Sequence, residues 1–83
     1  MKFTVTWSRT AEETLTELWL GSRVASQITA ASDRLDRDLT AHPLAIGESR
    51  TDDLRIAFHY PIAITFAVDQ IDRKVLIVDV WLI

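Results

Sequence analysis

The sequence predicts an α+β domain of two layers, in which a helical hairpin packs on one face of a largely antiparallel four-stranded sheet. The predicted order is β-α-α-β-β-β. Three observations support it: the opening segment alternates apolar and polar residues, the next segment has apolar residues at helical spacing, and alternation returns three times from residue 54 onward. A chain of 83 residues has room for one core, so we expect a single domain over 1–83.

The first strand and the first helix are predicted from a change of period. In KFTVTW the apolar residues Phe3, Val5 and Trp7 alternate with polar neighbours, as in a strand with one buried face. The following TAEE has the form of a capping box, which predicts a helix N-terminus at Thr10. Gly21 can adopt a left-handed conformation, so we expect it to end this helix.

The second helix is predicted between Ser22, a suitable capping residue, and Pro43, which cannot continue a helix. Arg34 and Asp38, four residues apart, can pair on its exposed side. Its apolar stripe comprises Val24, Ile28, Ala31, Leu35 and Leu39.

Three strands follow, with a tight hairpin turn at Tyr60 and Pro61 and a looser loop at 69–73. The last run, VLIVDVWLI, is apolar on both faces. Strict alternation puts these residues under the helices: Leu54, Ile56, Phe58, Ile62, Ile64, Phe66, Leu76, Val78, Val80 and Leu82. The other face would then carry Arg55, His59, Thr65, Val75, Ile77, Asp79 and Trp81, and we expect it to be a shallow site or a docking surface.

The composition limits the kinds of binding site that we expect in this chain. The chain has no cysteine and two histidines, so we expect no disulfide, no metal site and no cofactor. Its net charge of -3 argues against general phosphate binding. The N-terminal MKFTVTW lacks a long apolar run, so we expect no signal peptide, no membrane partner and a cytoplasmic location.

Taken in order, these segments resemble one known family. KFTVTWSRTAEETLTELW, HPLAIGESR, LRIAFHYPIAITFAVD and VLIVDVW are similar, nearly end to end, to the RelE/ParE superfamily of type II toxin–antitoxin toxins. The resemblance implies a toxin with a cognate antitoxin as partner, alone or in a hetero-oligomer, and a homodimer is also compatible with it. RelE-like members cleave messenger RNA on the ribosome without a metal, whereas ParE-like members inhibit DNA gyrase. A noncatalytic interaction module with this fold remains the alternative.

The resemblance also suggests candidate catalytic residues. Arg50 and Arg55 stand where RelE-like members tend to place basic residues, and His59 could carry a proton. Two departures weaken this match: Pro61 and Ile62 replace a family arginine, and no Tyr, Lys or Arg follows the last strand. The simpler interpretation is that Arg50 pairs with Glu48, Asp52 or Asp53, and that His59 is an ordinary strand residue.

The exposed face predicted by strict alternation suggests where a partner binds. We expect Val75, Ile77, Asp79 and Trp81 to contact the antitoxin. Asp79, within an apolar strand, would be costly to bury unless Arg55, His59 or a cation of the partner faces it. In GESR we expect Gly47 to supply a positive φ for a turn rather than a phosphate-binding loop.

Overall fold

Two helices pack on one face of a five-stranded mixed sheet in the computed structural model, which describes residues 2–51 and 53–83. The strands follow the order β1-β5-β4-β3-β2, with β1 parallel to β5 and the other pairs antiparallel. The elements are β1 (Thr4–Trp7), α1 (Arg9–Leu20), α2 (Ala25–Ala41), β2 (Glu48–Ser49), β3 (Leu54–His59), β4 (Ile62–Asp69) and β5 (Lys74–Leu82). The predicted fold class is confirmed; the fifth strand is the short β2, formed by two residues of GESR.

Helix α1 begins earlier than the sequence predicts. Ser8 is its N-cap, and the Ser8 Oγ accepts a hydrogen bond from the Ala11 N–H at 3.1 Å. Thr10 therefore lies inside the helix, and the predicted capping box there is wrong. Gly21 does follow the last residue of α1, but its φ of -92° is not left-handed, so the predicted conformation of this cap is also wrong.

Helix α2 confirms the predicted apolar stripe, because Ile28, Ala31, Leu35 and Leu39 are all buried. Its N-cap is Val24 rather than Ser22, whose Oγ instead accepts from the Val24 N–H at 2.9 Å in a local turn. Arg34 and Asp38 form the predicted ion pair at 3.3 Å. Within the described residues, neither helix combines the length and apolarity needed to cross a membrane.

A β-bulge in β5 sets which of its residues face the helices. Thr65 of β4 pairs with Asp79, but the next residue, Phe66, pairs with Ile77. Val78 is therefore an extra residue without a partner on β4, and the alternation of side chains restarts after it. Both halves of β5 can then place apolar residues on the same face.

The bulge overturns the predicted exposure of two residues. Val75 and Ile77 before it, and Val80 after it, all point toward the helices and are at most 2% exposed. Strict alternation would have placed Val75 and Ile77 on the opposite face. That prediction is wrong because side chains alternate regularly only where each residue of one strand pairs with one residue of its neighbour.

The register of β3 differs from the prediction by one residue. The turn at Tyr60 and Pro61 pairs His59 with Ile62, and residues directly opposite each other share a face. Ala57 thus faces the helices beside Ile64, and is buried. The predicted burial of Leu54, Ile56 and Phe58 under the helices is wrong, because the two-residue turn places the other set of alternate β3 residues on the helix side. These three side chains lie on the other side of the sheet.

Gly47 occupies a backbone conformation that only glycine adopts readily. Its φ is +73°, which confirms the predicted positive φ. A Cβ at this position would lie 2.9 Å from the Ile56 carbonyl carbon and 3.2 Å from the Ala57 Cα. Close packing of the loop against β3 therefore depends on the missing side chain.

The substitution Gly47→Ala should lower the free energy of unfolding by roughly 2 kcal/mol, from the left-handed conformation and the contact with β3 together. Gly21→Ala is the matched control, since its Cβ would have only an ordinary 3.4 Å contact with the Glu17 carbonyl oxygen. That variant should change the same quantity by no more than about 0.5 kcal/mol. Urea denaturation measures both, and equal losses would contradict the described loop.

Candidate functional site

The side of the sheet without helices carries most of the exposed apolar surface of the strands. By register and alternation, this surface, here called the open face, includes the three β3 residues displaced from the predicted core. Its members on β3, β4 and β5 are Leu54, Ile56, Phe58, Ala63, Thr65, Ala67, Leu76, Asp79 and Trp81. Only two of the nine are polar, so the open face is suited to apolar contacts.

The open face has a recessed centre. Phe58, Ala63 and Trp81 lie side by side on β3, β4 and β5. Ala63 is 0% exposed although it is not part of the cluster packed beneath the helices, whereas Phe58 is 55% exposed. The flanking aromatic side chains therefore shield Ala63 and stand above it.

Two acidic residues share the open face with this apolar centre. Glu48 pairs with Ile56 and so shares the open face, and Asp79 lies opposite Thr65. Both carboxylates belong to exposed residues. The Asp79 Oδ1 accepts a hydrogen bond from the Val80 N–H at 2.9 Å, and among the described residues Asp79 has no ion pair. Its predicted pairing with Arg55 or His59 is absent, and exposure removes the burial cost that motivated that prediction.

Arg55 lies on the helix side of the sheet, opposite Phe66, and not on the face of Trp81 as predicted. The same prediction is wrong for His59, which pairs with the buried Ile62. For Arg55 the contacts show its role. Its Nη2 donates to the carbonyl oxygens of Leu44, Ile46 and Gly47 at 3.3, 3.1 and 3.2 Å. Its Nε is buried without a partner among the described residues. The guanidinium thus holds the segment between α2 and β2 against β3, a structural role that occupies the cation.

The other two candidate catalytic residues are exposed but far apart. The Arg50 N–H donates to the Leu54 carbonyl oxygen at 2.9 Å, which places Arg50 beside the start of β3, whereas His59 ends that strand. Five residues at about 3.3 Å each separate these two positions by roughly 17 Å. Arg50 forms no ion pair with Glu48 or Asp53, while Asp52 lies outside the described residues.

A second concave surface lies on the helix side. A groove of about 800 Å³ separates α1 from α2, and Trp7 and Asp36 are among the residues that line it. The Trp7 indole N–H donates to the Asp36 Oδ1 at 3.3 Å. Five carboxylate residues line it: Glu12, Glu13, Glu17, Asp33 and Asp36. Such a lining repels a phosphate backbone, so this groove is no better suited to nucleic acid than the open face.

Comparison with solved structures identifies the fold. No family model and no curated protein matches the chain. Among solved structures, a chain of the RelBE2 toxin–antitoxin complex from Mycobacterium tuberculosis is 23% identical, with a TM-score of 0.81 over 100% of both chains. The chain has the RelE/ParE fold.

Two further structures support the same conclusion. A chain of the chromosomal ParDE system from P. aeruginosa is 15% identical, with a TM-score of 0.74 over 99% of this chain and 97% of that one. A chain of the archaeal RelE–RelB complex from Pyrococcus horikoshii is 16% identical, with a TM-score of 0.62 over 99% and 96%. The RelE/ParE fold therefore extends over nearly the whole chain.

Within this RelE/ParE fold, the predicted partner-binding residues divide into two groups. Val75 and Ile77 are buried under the helices and cannot contact a partner there, whereas Asp79 and Trp81 do lie on the open face. Sequence analysis missed Phe58, which it assigned to the core. The two-residue turn before β4 was the signal that could have placed Phe58 correctly, because it makes His59 and Ile62 share a face.

The substitution Arg55→Ala should lower the free energy of unfolding by about 1–3 kcal/mol, because three carbonyl oxygens of the α2–β2 segment lose a charged donor. Arg50→Ala, which removes an exposed side chain of the same type, should change it by less than about 0.5 kcal/mol. Denaturant titration distinguishes the two. Equal stability of both variants would show that the Arg55 contacts contribute nothing.

Proposed function

We propose that the chain is the toxin component of a type II toxin–antitoxin system and is neutralised by a cognate antitoxin. The observation that supports this most directly is the full-length fold similarity to chains of three toxin–antitoxin complexes. The open face supports it independently, since an exposed surface rich in apolar and aromatic side chains is typical of a site for a protein partner.

The toxin acts by binding a protein rather than by cleaving RNA. Attack of a 2′-hydroxyl on its neighbouring phosphate requires a proton-transfer group and a cation at the same phosphate. In this chain Arg55 is committed to backbone carbonyl oxygens, and Arg50 and His59 stand at opposite ends of β3. Blocking a cytoplasmic protein target, as ParE-like toxins block DNA gyrase, needs no such convergence.

A ribosome-dependent endoribonuclease is the second candidate. It is favoured by the exposure of Arg50 and His59, which leaves both side chains accessible to a substrate. Against it stand the acidic residues around the open face and along the α1–α2 groove, which oppose the approach of messenger RNA. The two candidates make opposite predictions for RNA integrity and for the effect of removing these side chains.

Induced expression of the chain alone should arrest growth, and co-expression of the small protein encoded beside it should restore growth. Messenger RNA ends should stay unchanged during arrest, and Arg50→Ala and His59→Ala should remain as toxic as the unaltered chain. Growth curves, mapping of RNA ends and an assay for DNA breaks provide the measurements. New RNA ends that disappear in the two variants would instead establish the nuclease, and absence of arrest would refute a toxin.

A further inference from the structure

We infer that the open face binds one apolar segment of the cognate antitoxin, with Lys or Arg residues flanking its apolar side chains. This inference deepens the proposed function and rests on it. It is carried by two features of the described residues: the sizes of the side chains across β3, β4 and β5, and the sign of the charges around them.

The side chains of the open face form a trough along β4. Its floor consists of small residues only: Ala63, Thr65 and Ala67. The paired residues on either side are mostly large, and they form its walls. In order along the trough, these pairs are Phe58 and Trp81, Ile56 and Asp79, and Leu54 and Leu76.

The length of the trough limits what fits. Four residue steps from Ala63 to Ala67 extend about 13 Å, which matches some four residues of extended chain or between two and three turns of helix. At the Ala67 end the trough opens into a hollow of about 620 Å³ that includes Leu76 and the 93%-exposed Ile71. One short segment of a partner is therefore sufficient to fill it.

The charges around the trough select the composition of that segment. Asp79 lies within one wall, Glu48 lies beyond Ile56, and Asp53 and Asp69 line the hollow. Lys74, opposite Asp69, and Arg50, which follows β2 beside Leu54, are cationic residues on this side, and these four carboxylates outnumber them. An excess of carboxylates attracts Lys and Arg, and it repels both RNA and a second copy of this chain.

Two synthetic peptides test the inference. Both have about ten residues and the same Leu and Ala pattern, but one carries Lys at its flanks and the other Glu. The isotope-labelled chain, followed by NMR, should show shifts at the Ala63 and Ala67 amides and at the Trp81 indole with the Lys peptide. The Glu peptide should bind at least about 10-fold more weakly, and added salt should weaken the binding of the Lys peptide.

Substitutions test whether the open face is the surface that binds the peptide. Phe58→Ser, at a side chain already 55% exposed, should reduce affinity for the Lys peptide by about 10-fold or more, as expected for an aromatic anchor. Asp79→Asn keeps an acceptor for the Val80 N–H and should reduce both affinity and its salt dependence. The control Leu20→Ser removes a 72%-exposed apolar side chain at the end of α1 and should leave binding unchanged. Thermal unfolding verifies that each variant is folded.

Several results would overturn the inference: equal binding of the two peptides, shifts confined to the α1–α2 groove, or occupation of the open face by a second copy or by an RNA oligonucleotide instead. A growth assay in cells distinguishes failure of this inference from failure of the proposed function. If the antitoxin protects cells from the Phe58→Ser toxin as well as from the unaltered one, the trough is not its binding site, while the toxin assignment stands. If the unaltered chain causes no arrest, the proposed function fails, and with it the antitoxin as occupant.

Discussion

The extra residue in β5 decides what this small sheet buries and what it displays. Before Val78 the inward side chains are Val75 and Ile77; after it the inward position falls on Val80. Had the alternation continued from Ile77 without a bulge, Asp79 would have pointed at the helices. An unpaired carboxylate in that core would cost several kcal/mol, so the bulge keeps the core apolar and sends the acid to the open face.

The same irregularity shapes the open face. Because the bulge resets β5, Trp81 stands beside Ala63, and the two-residue turn before β4 brings Phe58 to the other side of that alanine. A hairpin turn and a bulge, each a local feature, together set the walls of the trough on both sides of β4. Core packing and recognition surface therefore depend on the same strand registers, and a slip in either strand would alter both.

The helices, and the order of the elements along the chain apart from the short β2, could be predicted from the sequence because an amphipathic period is a local signal, as the buried stripe from Ile28 to Leu39 shows. Strand registers could not be predicted as well. β5 is apolar on both faces, so its sequence does not reveal where the bulge lies. For β3, by contrast, the length of the turn was enough to predict which residues face the helices. Arg55 was predicted to be a site residue from the family resemblance. Its partners in the structure are backbone carbonyl oxygens, which every residue has, so the sequence could not reveal this structural role.

Charge and apolar surface are distributed in a way that favours recognition over chemistry. Arg55, the arginine of β3, holds a loop through its guanidinium, while the aromatic residues Phe58 and Trp81 remain available on the opposite side of the sheet. An exposed apolar sheet face normally invites self-association. Acidic residues around it oppose a second copy with the same charges, yet they attract a basic segment of another protein. The apolar trough and its acidic rim are therefore the physical basis on which we propose binding of a basic segment of a protein partner.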